Sequence, residues 1–368
     1  MMMKQLLWTG LIATACGHAT AQTSVSLYGV LDTSVEWMNH VGAQQDTLTR
    51  MPNLTGSTPS RLGLRGREDL GSGLSAQFAL EMGLGMDGGT LNQGNRAFGR
   101  QAVVSLHGDW GSIGLGRQYN MLFWSLIGTD VIGPSLHSMA SLDSYIPNAR
   151  SDNSLAYQGK LGNFTLGASY SLGRDAVNAG PSPAGTNCAG EAAADPQACR
   201  DWSAMLKYDT PQWGLAVAHL QLNGGPGAFA GLTSSGLHDK RSVLTGYANI
   251  DRLKLGAGWI RRDNDGNPAA PRSDLWFVGG TYRLPQFTID AQLSQLRPKT
   301  SDQRDTKGTQ LVLRAAYHLS KRTAIHASLG HMKNGRTANY GTSSAAAGGL
   351  PVAGVNQTGF GVGLRHSF

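Results

Sequence analysis

Residues 163–172 read Asn-Phe-Thr-Leu-Gly-Ala-Ser-Tyr-Ser-Leu. In an extended chain successive side chains point to opposite faces. Phe164, Leu166, Ala168, Tyr170 and Leu172 therefore share one face, and Asn163, Thr165, Gly167, Ser169 and Ser171 the other. The same two-residue period recurs at 74–82, 202–209, 287–294 and 310–319. Outside the N-terminus no stretch carries a convincing helical period. The connections alternate in length. Short ones lie at Asp69–Ser72, Gly108–Asp109, Leu161–Gly162, Thr210–Pro211, Asp251–Arg252, Leu284–Pro285 and Ser320–Lys321. Between them lie long polar segments at roughly 38–58, 83–94, 119–150, 174–200, 223–240, 263–272, 297–306 and 333–354. Seven short turns and eight long loops join sixteen strands.

Alternating short turns and long loops describe an up-and-down barrel in an outer membrane. In lipid every backbone polar group needs a partner, so a spanning sheet must close. Strands of about ten residues fit the apolar thickness. Tyr170, Tyr208, Trp213, Tyr282, Phe287 and Tyr317 are expected in interfacial girdles. A soluble β-sandwich also alternates, but both of its inner faces are apolar. Here the second face is rich in Ser, Thr, Gln and charge.

Composition agrees. Among 368 residues there are 50 glycines, only 40% are hydrophobic and 15% charged, and the net charge is +7. A chain with one face in lipid and one in water has no dry core to fill with Leu and Ile. Beyond the N-terminus no run of about 18 apolar residues exists, so no helix is expected to span. Sixteen strands are enough to enclose an aqueous channel. The fold class is thus all-β, a sixteen-stranded antiparallel transmembrane barrel. The chain ends on an alternating strand in which Phe360, Val362, Leu364, His366 and Phe368 share a face.

Lys4, the apolar run Leu6–Cys16 and Ala19-Thr20-Ala21 predict a secretory signal peptide over residues 1–21, leaving a barrel over 22–368. Cys188 and Cys199 remain in an exported chain and sit in one Pro/Ala/Gly-rich loop, which predicts a local disulfide.

Several segments carry a resemblance. Ser26-Leu27-Tyr28-Gly29-Val30-Leu31-Asp32, Ser60-Arg61-Leu62-Gly63-Leu64-Arg65-Gly66 and Glu68-Asp69-Leu70-Gly71-Ser72-Gly73-Leu74 come first. Phe98-Gly99-Arg100-Gln101-Ala102, Leu115-Gly116-Arg117-Gln118-Tyr119, Asn153-Ser154-Leu155-Ala156-Tyr157 and Gly363-Leu364-Arg365-His366-Ser367-Phe368 follow in order. The chain resembles a Gram-negative general porin of the beta-proteobacterial type. The resemblance implies a homotrimer in outer-membrane lipid and lipopolysaccharide that passes small ions and solutes, and a third loop folded into the lumen. It also implies an assembly signal at the terminal Phe368.

Carried over residue by residue, the family's basic constriction falls on Arg61, Arg100 and Arg150, with Arg65 and Arg117 nearby. Arg61 shares a face with Gly63, Arg65 and Arg67, which agrees with a water-facing place. Arg100 has the parity of Ala102, Val104 and Leu106, and Arg117 that of Ile113 and Leu115, so alternation does not place them in the lumen. Arg117 needs a bulge or a strand end to face inward. The third loop holds two carboxylates, Asp130 and Asp143, which are expected to face the arginines. Asp32, Glu36, Glu81 and Asp290 are expected on the lumen wall away from the constriction. The basic excess predicts an anion-preferring pore.

Other chemistry is weak. Gly83-Leu84-Gly85-Met86-Asp87-Gly88 matches a dinucleotide fingerprint with no helix to follow it. His326 and His331 read as single wall residues, and Asp263 and Asp265 as a turn rather than an ion site. No catalytic residue, metal or cofactor is expected, nor any nucleic-acid partner, since the basic residues lack interleaved aromatics. A surface adhesin and a barrel phospholipase are the readings from other classes. The phospholipase would need a Ser/His pair on the lipid face.

The cysteine pair gives a first prediction. Alkylation and mass spectrometry of the folded protein should find no free thiol at Cys188 or Cys199. Closing a loop of about a dozen residues stabilises the fold by about 3 kcal/mol in the chain-entropy account.

Overall fold

The computed structural model describes residues 24–176, 187–345 and 348–368. The expected signal peptide lies outside the described residues. The wall begins with β1 (Ser24–Val41), β2 (Asp46–Arg50), β3 (Arg61–Gly71), β4 (Leu74–Gly85), β5 (Thr90–Leu91), β6 (Gln101–Gly108) and β7 (Gly111–Tyr119). After a helix, α1 (Met121–Leu126), come β8 (Arg150–Leu161), β9 (Phe164–Ser171), β10 (Asp201–Asp209), β11 (Trp213–Asn223) and β12 (His238–Ile250). The last are β13 (Leu253–Asn264), β14 (Arg272–Arg283), β15 (Phe287–Lys299), β16 (Gly308–His318), β17 (Thr323–Asn334) and β18 (Gln357–Ser367).

Every ladder is antiparallel between neighbours, and β1 pairs with β18 from Val30↔Ser367 to Met38↔Gly359, so the sheet closes. Two wall strands are interrupted. β2 and β3 both pair with β1, and β5 and β6 both pair with β4, so each couple is one strand broken by an excursion. The barrel thus has sixteen strands.

Burial is inverted relative to a soluble protein. Leu115 is 62% exposed whereas Glu36 is 0% exposed. Through the middle of the wall apolar side chains face outward to lipid, and the buried charged ones pack inside. The girdle residues divide between two rims. Tyr208 stacks near Trp213 and Phe287 near Tyr317 at the short-turn end, whereas Tyr170 pairs with Trp202 at the long-loop end.

Two long segments differ from expectation. β1 continues to Val41, and residues 42–45 return the chain as β2, so 38–58 is not one external loop. Residues 51–60 instead fold inward. Asp32 holds them by accepting from the Ser57 backbone N–H at 3.0 Å, the Ser57 hydroxyl at 2.6 Å and the Thr58 N–H at 3.0 Å. Residues 335–345 also turn in, where the Ser344 hydroxyl donates to the Ser135 carbonyl at 2.6 Å. Sequence gives no sign of either, because both are polar segments whose partners are remote in the chain.

The third loop, residues 120–149, lies inside the barrel against the wall. Asn120 caps α1 through the Leu122 N–H. Met121 donates its N–H to the Ser203 hydroxyl on β10, and Thr245 on β12 donates to the Ser125 carbonyl. Arg314 on β16 donates to the Ile132 carbonyl at 2.9 Å and the Val131 carbonyl at 3.3 Å. Leu136 then rests over Gly361 of β18, and His137 against Gly359 and Gly330. The wall gives the backbone room by omitting side chains. A Cβ on Gly256 of β13 would stand 2.0 Å from the Thr129 carbonyl oxygen. The apolar residues Met121, Leu122, Leu126, Met139, Leu142 and Ile146 are consumed in this packing.

Cys188 and Cys199 are joined, with Cα atoms 5.2 Å apart, beside the start of β10.

Closure and loop seating each give a prediction. Phe368 exchanges backbone hydrogen bonds with Gly29 at 3.1 Å, and its ring sits where a Gly29 side chain would be. Deleting Phe368 leaves the Gly29 N–H and C=O unpaired, at about 1–3 kcal/mol each. Outer-membrane insertion should fall several-fold, measured as heat-modifiable barrel in membrane fractions, and unchanged yield would contradict this role. Gly256→Val should push the third loop away from the wall into the lumen. Single-channel conductance should drop while the barrel keeps its mobility in unheated gels.

Candidate pore constriction

β1, β3, β4, β7 and β8, with the segment just before β6, bring one group of side chains together. Glu81 of β4 is at its centre. Its carboxylate accepts from Arg100 Nε at 2.7 Å and from the Tyr28 hydroxyl at 3.1 Å, and Arg61 Nε stands at 3.5 Å. Arg100 also donates to the Tyr119 hydroxyl at 3.1 Å. Arg150 donates to the same oxygen, and its guanidinium lies 4.3 Å from the Tyr119 ring centre. Arg65 stands 5.2 Å from the Tyr28 ring. Arginine stays charged at any accessible pH, so the group holds three guanidiniums and one carboxylate, with Arg61 and Arg100 at Glu81 and Arg150 joined through Tyr119.

Arg100 enters this group despite its lipid-side parity because β6 begins only at Gln101. The residue precedes the ladder and is free of its alternation. Arg117 departs from parity differently. The β7–β8 register shifts between Gly116 and Gln118, and Gly116 adopts a φ of +124°, which only glycine reaches without strain. This bulge turns Arg117 into a network of its own. It donates to Asp152 at 2.7 Å and Asp175 at 3.3 Å, beside Arg96, which pairs with the same two acids. Its charge is matched there rather than added to the Glu81 group.

The loop carboxylates do not face the arginines. Asp143 takes Arg241 of β12 with both oxygens, at 3.1 and 3.2 Å, and Arg241 also contacts Asp239 and stacks 4.6 Å from the Tyr145 ring. Asp130 accepts the Gly133 N–H at 3.0 Å, and burial lifts its carboxyl above the usual range. Both turn toward the wall because the loop lies against it and needs charged anchors there. Glu81 is the reverse correction, since it stands among the arginines rather than away from them. Asp32 pairs with His326 at 2.9 Å, Glu36 with Arg50 at 2.9 Å and Asp290 with Arg314 at 2.8 Å. His326 is therefore a partner of Asp32 and not a lone wall residue.

Sequence reading missed Tyr28 and Tyr119 as the hydroxyls that join the arginines. Alternation places Tyr28 and Glu81 on the lumen face, but the Gly63↔Glu81 and Tyr28↔Gly63 registers that bring them together are properties of the folded sheet.

Comparison with known proteins agrees with this architecture. Residues 9–337 match the Gram-negative porin family. Outer membrane porin protein 32 of Delftia acidovorans is 29% identical over 379 residues, covering 100% of both chains. An outer membrane porin protein of Bordetella pertussis is 29% identical over 417 residues, again covering 100% of each. Among solved structures, an anion-selective porin from Comamonas acidovorans superposes with a TM-score of 0.75 at 25% identity, covering 94% of this chain and 100% of that one. A closed sixteen-stranded wall, an internal loop and a family match across nearly the whole chain lead to one conclusion: the chain belongs to the Gram-negative porins, outer-membrane channels for passive diffusion of ions and small hydrophilic solutes.

Proposed function

We propose that this channel prefers anions and that Arg61, Arg100 and Arg150 set the preference at its narrowest point. One observation carries the reading: Arg61 and Arg100 stand at the single carboxylate of Glu81 and Arg150 joins them through the Tyr119 hydroxyl, while Asp143 is paired with Arg241 of the wall and Asp130 is held by Gly133 of its own loop and Gln292 of the wall. Fixed positive charge on a narrow, low-dielectric wall concentrates counter-ions. Arg65, two alternation steps further along β3, extends the positive wall, and Arg117 contributes position rather than net charge. The solved relative described as anion-selective has the same fold at 25% identity, which supports the reading. The protein is exported by residues 1–21, acts as a homotrimer as the family resemblance implies, and works as a channel rather than as an adhesin or lipase. Steady ohmic conductance separates the first from the other two.

The test is the reversal potential in a KCl gradient. The wild type should favour chloride. Arg100→Ser should lower the chloride-to-potassium permeability ratio several-fold, because Glu81 then loses its closest cation. Glu81→Gln should raise that ratio. The preference should weaken with salt, since the Debye length falls from about 10 Å at 0.1 M to about 3 Å at 1 M. Potassium preference in the wild type, or no shift in Arg100→Ser, would overturn the assignment.

A further inference from the structure

The third loop meets the wall with one side and leaves the other to the lumen. On the lumen side it curls around a cavity of about 170 Å³. Every residue lining this cup belongs to the stretch 123–147 of the loop and none to a wall strand, so the cup opens on the water-filled channel. Leu126, Met139 and Ile146 close its floor and belong to the apolar core that seats the loop. Phe123, Ile127 and Pro134 form its rim, and Ile127 is 42% exposed. The two polar side chains of the lining are engaged elsewhere. Asp130 accepts the Gly133 N–H at 3.0 Å and is held by Gln292 of β15. The Ser138 hydroxyl lies 3.0 Å from that of Ser344 and accepts the Ala140 N–H.

Seating the loop does not account for an apolar cup. The contacts that hold the loop to the wall run through the Met121 N–H, the Ser125 carbonyl and the carbonyls of Val131 and Ile132, none of which lines the cup. Apolar surface kept beside water is unfavourable in proportion to its area. The rim keeps such surface beside the narrowest part of the channel. The Phe123 ring stacks on the Tyr119 ring with centres 3.7 Å apart. The Tyr119 hydroxyl accepts from Arg100 and Arg150, and the Arg150 guanidinium lies 4.3 Å from the same ring. One aromatic stack therefore joins the cup to the guanidinium group.

Size and charge together define the occupant. An apolar cavity of about 150 Å³ lined by Leu, Ile and Phe takes one benzene ring, and the cup is of that size. A body of several fused rings exceeds it. Chloride is drawn by the guanidiniums but has no apolar surface to bury. An uncharged aromatic gains from the cup, but no field draws it to this side of the lumen. A solute that uses both features carries one ring and one anionic group. A carboxylate suits the second feature, since it accepts charge-assisted hydrogen bonds from arginine.

We propose that the third-loop cup retains the ring of small aromatic carboxylates as they cross the constriction. Arg61, Arg100 and Arg150 attract the carboxylate, and Phe123, Ile127 and Pro134 hold the ring. This rests on the anion preference argued above and names the solute class that gains most from it. A solute held in the cup obstructs the narrow passage beside it, so its residence is read as a block of the chloride current.

The test places the full-length protein in planar bilayers at neutral pH and low salt and titrates the KCl current with benzoate, benzamide or acetate. Benzoate should half-block the current at a concentration at least tenfold below that of acetate and several-fold below that of benzamide. Ile127→Ser should lose most of the benzoate advantage and Ile127→Leu should keep it, with conductance and the chloride-to-potassium permeability ratio as in the wild type in both. A wild type that treats benzoate as it treats acetate would overturn the proposal. So would benzamide blocking as well as benzoate, or an Ile127→Ser channel that keeps the difference. The reversal potential of the same membranes separates the two readings. Chloride preference without a benzoate advantage overturns this one alone, whereas potassium preference overturns the anion reading and the attraction of the carboxylate with it.

Discussion

A sheet that crosses lipid must pair every backbone N–H and C=O within itself. That requirement makes β1 meet β18 and makes the C-terminal Phe368 bond Gly29, because an open edge would leave a row of orphaned donors and acceptors in hydrocarbon. Closure in turn fixes an inside and an outside, and every residue on a regular strand then has its face decided by parity. The inverted burial of Leu115 and Glu36 follows directly.

The wall being satisfied, the lumen is filled by segments that cannot pair with it as strands. The third loop solves this with two devices. Glycines on the wall let its backbone approach, as at Gly256 and Gly361, and charged side chains of the wall donate to its carbonyls and carboxylates, as Arg314 and Arg241 do. The insert at 51–60 repeats the second device through Asp32. These anchors use up the loop's acids. The carboxylates that would have opposed the arginines across the lumen are bound to the wall behind the loop, and the positive group around Glu81 faces a loop with little negative charge to offer.

Charge thus has two regimes in this molecule. Inside, cations and acids are interleaved at hydrogen-bond distance, which offsets the cost of burying charge in a low-dielectric surround. In the Glu81 group cations outnumber acids. Outside, at the long-loop end of β13 and β14, Arg261 and Arg272 pair with Asp274 and Asp263 beside the stacked Trp259 and Trp276.

Much of this was legible in the residues themselves. Alternation at 163–172 and its repeats, with short turns between, determined the strands, their number, the faces of Arg61 and Glu81, and hence the barrel. The reason is that a two-residue period and closure in lipid are local rules applied many times. Tertiary structure alone decided which residues meet. Arg100 and Arg117 leave alternation at a strand start and at the Gly116 bulge, each a break in the rule that parity presupposes. Glu81 meets Arg61 and Arg100, and Asp143 meets Arg241, through registers and a loop path spanning up to 98 residues of chain. Such contacts depend on how strands far apart in sequence are staggered around the barrel, and no local pattern encodes that stagger.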